Sequence, residues 1–215
     1  RFTWDSRFPD AVRLDAKGGD QPGTAGPRAI PGEYRARLSS VDATSDVSFR
    51  ISPDPRSDAS RDDLRAQFDL LVQIRDKLSD TNRAVNRVRS VRSDADGWLD
   101  RARGSANEAA LREAVESLKR DLAGVEEALI QVKANSPKDT LNFPVMLNSK
   151  LARVANAVAS ADMRPTQQAR DAFVDITGRI DAQLATLDGI MERSIPALNA
   201  LIAESGVTPV RAPEM

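Results

Sequence analysis

Two hydrophobic patterns divide the chain. Between Gly32 and Ile51 apolar and polar residues alternate. Tyr34, Ala36 and Leu38 fall on one side of an extended chain, with Glu33, Arg35 and Arg37 on the other. Val47, Phe49 and Ile51 repeat the alternation, and the intervening VDAT suits a hairpin loop. Beyond residue 60 the apolar residues recur at steps of three and four, the signature of a helix with one buried stripe. Leu64, Phe68, Leu71, Ile74, Leu78, Val85, Val88, Ala95 and Trp98 predict a helix over 60–103. Leu111, Val115, Leu118, Leu122, Val125, Leu129 and Val132 predict a second over 106–134. Leu147, Leu151, Val154, Val158 and Ala161 predict a third over 144–161. Phe173, Ile176, Ile180, Leu184, Leu187, Met191, Leu198 and Leu201 predict a fourth over 165–204.

Punctuation supports this division. RFTW at the front is a further strand candidate, and the Gly- and Pro-rich stretch KGGDQPGTAGPRAIPG is loop. Pro53 and Pro55 stop any strand at the junction. Ser60 then stands as an N-cap with Asp63 three residues on, an acidic variant of the capping box. Gly97 is a weak point in the first helix, and Pro165 sits near the first turn of the fourth. Pro196 is expected to kink or restart the fourth helix, and the last residues to fray. Thr81 and Asn82 interrupt the first stripe, where polar groups can set helix register. The expected fold is mainly α. An antiparallel four-helix bundle (54–215) follows a small, incomplete antiparallel β-sandwich segment (1–53). Three strands leave an apolar sheet face to be covered, either by preceding strands of a longer protein or by the helices. The first is preferred, because the chain opens on Arg1, inside an expected strand.

Composition narrows the chemistry. The chain has no Cys, which excludes disulfides, thiolate metal sites and Cys nucleophiles. It has no His, which removes the commonest general base and the commonest transition-metal ligand. Its 31 basic and 32 acidic residues balance, so neither a nucleic-acid-binding surface nor a solvating acidic tail is expected. No apolar run reaches the ~20 residues of a membrane helix. Asp54, Asp58, Asp62 and Asp63 lack the spacing of a calcium loop and read as capping and dipole partners. Arg83, Arg87, Arg89 and Arg92 form a candidate phosphate-contacting stretch, but without interleaved aromatics they read as a solvated helix face. Asp94, Asp96 and Asp100 beside Trp98 form a candidate sugar-binding or glycosidase group, better explained as a helix end. The Gly-rich stretches lack the Lys-Ser/Thr of a phosphate cradle. No cofactor and no catalytic residue is assigned.

The segments FTWDSRFPDA, GPRAIPGEYRARL, DPR, AQFDLLVQIRDKLSDTNRAVNRVR and PKDTLNFPVMLNSKLARV, in that order, carry a resemblance. Together they look like the C-terminal part of bacterial sortilin-like, BNR-repeat β-propeller proteins, often called glycosyl hydrolases. In that family an immunoglobulin-like sandwich follows the propeller, and a helical segment closes the chain. Trp4, Asp5, Arg7, Phe8 and Pro9 match its Trp-Asp-x-Arg-Tyr/Phe-Pro strand. Pro31, Gly32, Tyr34 and Leu38 match its Pro-Gly-x-Tyr strand, and Asp54, Pro55 and Arg56 its junction. The short polar loop from Asp15 to Gly26 departs from the pattern, and no Asp-box repeat is present. The resemblance implies an exported, non-catalytic accessory or scaffolding region. Its partners would be the upstream propeller and sandwich, or a second copy or other protein bound through the bundle. Any hydrolase site would lie in the absent propeller. Two other readings are an independent peptide- or sugar-binding module, expected to show a pocket, and a small hydrolase using two facing carboxylates.

Overall fold

The computed structural model describes residues 3–15, 23, 25–134, 139 and 141–206. Strands β1 (Gly32–Ser39) and β2 (Thr44–Ile51) form an antiparallel hairpin. Gly32 pairs with Ile51 at the open end and Ser39 with Thr44 at the turn. This register sets Tyr34 opposite Phe49 and Ala36 opposite Val47, so both alternating patterns share one face. The other face is charged and paired. Asp46 lies 2.8 Å from Arg37 and 3.7 Å from Arg35, and Glu33 lies 3.6 Å from Arg50.

The strand expected at RFTW is not formed by its described residues, Thr3 and Trp4. The chain turns there instead. The Asp5 carboxylate accepts from the Arg7 amide at 3.0 Å, the indole N–H of Trp4 donates to the Arg7 carbonyl at 2.7 Å, and Ser6 has φ of +64°. Such an Asx turn competes with a strand ladder for the same backbone groups. Among the described residues of this stretch, Arg7 alone forms a bridge, antiparallel to Arg28.

Four helices follow: α1 (Arg61–Arg101), α2 (Glu108–Leu129), α3 (Leu147–Val158) and α4 (Gln167–Glu204). The fold is mainly α, a bundle behind a small sheet, as the periodicity implies. Contacts along the helices define three columns. Lys77 binds Asp181 and Arg87 binds Asp188, so α1 and α4 run parallel. Lys119 binds Asp96 while Glu126 binds Arg89 and Arg92, so α2 runs antiparallel to α1. Gln67, near the start of α1, donates to the Val158 and Ala161 carbonyls past the end of α3. Thus α2 and α3 follow one another along the same side of α1, both antiparallel to the two long helices, and touch each other little.

Element ends differ from the periodicity in instructive ways. The helix expected to reach residue 134 stops at Leu129, and Ile130 is extended. Yet Ile130 and Ala134 are buried, so the stripe there reports burial without reporting helix. The third helix is shorter than the expected 144–161 at both ends. α1 runs through Gly97 because Ala95 and Leu99 on either side are buried. α4 runs through Pro196 without a restart. Pro196 is exposed, so the Glu192 carbonyl it leaves without an amide partner is on the water side. Pro165 lies just outside α4, whose N-cap is Thr166, accepting from the Ala169 amide.

The core is one continuous cluster that includes Ile74, Val85, Val88, Leu111, Leu122, Leu151 and Ile180, all fully buried. Burying each such side chain contributes roughly 1.5–3 kcal/mol before chain entropy is counted. Ala11 and Leu14 belong to the same cluster. The chain around them is no part of the sheet. It is an extended strap lying along α1.

Candidate functional site

Three features surround the base of the hairpin. The first is an aromatic cluster. The Tyr34 and Phe49 rings stack 5.9 Å apart, and Trp4 sits 5.9 Å from Tyr34 and 6.1 Å from Phe49. The Tyr34 hydroxyl donates to the Ile30 carbonyl at 2.7 Å, tying β1 to the Pro31–Gly32 approach. Further toward the turn the apolar face has no cover among the described residues. Val47 is 63% exposed, Leu38 75% and Val41 fully exposed.

The second is a cleft of about 530 Å³ between the hairpin base, the turn at Ser6 and Arg7, α1 and α3. Leu64, Phe68 and Leu71 of α1 make its apolar side, Ala155 and Asn156 of α3 its end, and the 25–31 segment its rim. Phe8 packs edge-on to Phe68 at 4.9 Å. Asp54 and Asp162 also line it. The Arg56 guanidinium on Asp54 (2.7 Å), helped by the Arg56 amide, holds that carboxyl below the usual range. This is the wrong direction for a general acid, which needs a raised pKa. Beside its apolar surface the cleft is lined by the polar residues Arg28, Gln67 and Arg75.

The third is the junction. Asp54, Pro55 and Arg56 form a turn, with the Ser57 amide donating to the Asp54 carbonyl. Ser60 caps α1 in a complete capping box. Its hydroxyl accepts from the Asp63 amide at 3.1 Å, and the Asp63 carboxylate accepts from the Ser60 amide at 3.2 Å. Asp63 also binds Arg164 at 2.7 Å, joining the start of α1 to the approach to α4. The Ser60 hydroxyl first, and Arg164 second, hold the Asp63 carboxyl below its usual value.

Of the motif residues, Trp4, Gly32 and Tyr34 stand at the hairpin, Asp5 in the turn next to Trp4, and Pro31 on the cleft rim. Asp54, Pro55 and Arg56 stand at the junction, and Ser60 and Asp63 at the helix cap. Most members of the charged clusters stand in ion pairs. Arg83 binds Asp80, Arg87 binds Asp188, and Arg89 and Arg92 grip Glu126 from either side at 2.7 Å. Asp96 binds Lys119, Asp100 binds Arg103, and Trp98 carries the Arg101 guanidinium 4.9 Å over its ring. Among the described residues no acidic group is arranged to hold a metal ion, and no helix is long and apolar enough to cross a membrane.

Sequence reasoning missed a row of side chains on α1. Arg75 donates to the Pro9 carbonyl at 3.1 Å, and the Ser79 hydroxyl accepts from the Val12 amide at 3.2 Å. Asn82 donates to the Val12 carbonyl at 2.6 Å. Asn86 donates to the Arg13 carbonyl and accepts from the Asp15 amide, both at 3.0 Å. The steps of four, three and four set one such group per helical turn. Thr81, singled out with Asn82, bonds back to the Lys77 carbonyl in its own helix instead. The available signal was the run of Ser and Asn inside a helix, where both are poor formers and need a reason.

No family model, no curated protein and no solved structure matches the chain.

Proposed function

We propose that this chain is a non-catalytic accessory and scaffolding region of an exported, sortilin-like BNR-repeat propeller protein. In this reading its hairpin completes a β-sandwich and its bundle spaces or packs the assembly. The observation that carries it is the apolar face of the hairpin, left open at Leu38 and Val47 while the opposite face is closed by ion pairs. A sheet with one salt-bridged face and one open apolar face is built for a second layer. The partner that fits is another sheet presenting aliphatic and aromatic residues. The order of the Trp-Asp, Pro-Gly-x-Tyr and Asp-Pro-Arg motifs supports the same partner.

The test is hydrogen exchange on this chain and on one extended upstream by the expected sandwich strands. Amides across residues 33–51 are expected to exchange fast here and to be protected in the longer chain. Equal protection in both would refute the scaffold reading. It would favour the second, an independent binding module, for which the 530 Å³ cleft is the supporting observation.

A further inference from the structure

The row Arg75, Ser79, Asn82 and Asn86 addresses only main-chain atoms of the strap. Such contacts read an extended backbone and tolerate many sequences. The side chains of Ala11 and Leu14, both buried, add the selectivity: a small residue and a branched apolar one three positions apart. The strap's fit is also incomplete. Asn82 is 1% exposed, and its side-chain oxygen has no hydrogen-bond partner among the described residues. Asn86, one turn on, has both ends of its amide paired. The assignment of the Asn82 amide is fixed by chemistry, since only its NH₂ can donate to the Val12 carbonyl. A buried acceptor left open is costly, and a ligand that supplies a donor there gains what the strap forgoes.

We infer that this face of α1 is a binding site for an extended peptide segment, occupied in cis by Pro9–Asp15, and that its outside occupant is a segment of a partner protein. That segment presents a small residue and a Leu-like residue three apart, with a hydroxyl or amide donor near Asn82. Tethering gives the strap an effective concentration on the order of mM, so a free peptide competes poorly until the strap is weakened.

A fluorescent peptide copying Ser6–Asp15 is the probe, read by anisotropy against the full chain. Val12→Pro in the full chain removes the amide that donates to Ser79 and should tighten peptide binding at least ten-fold over wild type. Leu14→Asp, which withdraws the buried anchor, is the second strap-weakened chain. Circular dichroism confirms that each keeps its helices. Adding Asn86→Ala should abolish binding in both. A serine scan through peptide positions 10–14 should find one position that tightens binding about five-fold or more, a gain lost with Asn82→Ala. Absence of saturable binding to both folded, strap-weakened chains would overturn the site. A scan without any gain would overturn the partner segment. So would a dimer that grows with concentration and dissolves with peptide, because the occupant would then be a second copy's strap.

Discussion

Removing the carboxylate of Glu126 tests how the two halves of the bundle are joined. Glu126 is 5% exposed and is held by Arg89 and Arg92, each at 2.7 Å. The Arg89 and Arg92 side chains are themselves only 23% and 35% exposed. Without the carboxylate, two cations would share a partly dry pocket between α1 and α2. Breaking a fully buried pair costs about 3–5 kcal/mol. The partial exposure of Arg92 lowers that, so Glu126→Gln should cost about 2–4 kcal/mol. In a chain of this size each kcal/mol moves Tm by roughly 2–4 °C, so a fall of about 5–15 °C is expected. Urea unfolding followed by circular dichroism measures the loss as a lower midpoint at unchanged slope. The companion variant is Arg89→Met/Glu126→Leu/Arg92→Met. It should recover most of the loss, because an apolar replacement of a whole buried triad escapes the desolvation penalty that the remaining charges suffer. The reasoning is refuted if Glu126→Gln costs under about 1 kcal/mol, or if the triple variant is no more stable than the single one.

A Cβ on Gly26 would run into the Phe8 carbonyl oxygen and lie 2.5 Å from that of Pro9. Gly26→Ala should therefore lift the strap, cost about 1–3 kcal/mol, and speed exchange of the Phe8 and Ala29 amides, which bond Pro27 and Ser6 across that crossing. Ser60→Ala should cost about 0.5–2 kcal/mol in urea unfolding, as loss of an N-cap does, whereas an effect within error would show that the Asp63 carboxylate caps alone. The depressed Asp63 carboxyl gives a pH signature. Its contribution is present above the unfolded Asp pKa of about 3.9 and is lost as pH falls through the lower folded value. The stability difference between wild type and Arg164→Gln should thus vanish in strong acid, and a pH-independent difference would contradict the assignment. Leu38→Lys with Val47→Lys should leave stability within about 0.5 kcal/mol by thermal unfolding, since both side chains already face water.

The sequence by itself determined the local elements. Steps of three and four fix which face of each helix is apolar, and strict alternation fixes the hairpin, because side-chain direction follows backbone period. The α1 cap was legible for the same local reason, since Ser60 and Asp63 bond within one turn. Residues 130–134 were misread because a buried extended chain and a buried helix end look alike over five residues. Tertiary structure decided the rest. An apolar stripe says that a helix is covered and is silent on which neighbour covers it, so the succession of α2 and α3 along one side of α1 has no sequence signature. The pairing of Arg89 and Arg92 with Glu126 is equally invisible, because the partners stand 37 and 34 residues apart. The strap is the clearest case. Its segment has no period, its partners are main-chain atoms common to every residue, and Asn82 and Asn86 acquire a meaning only when an extended chain about 70 residues away in sequence is laid against them.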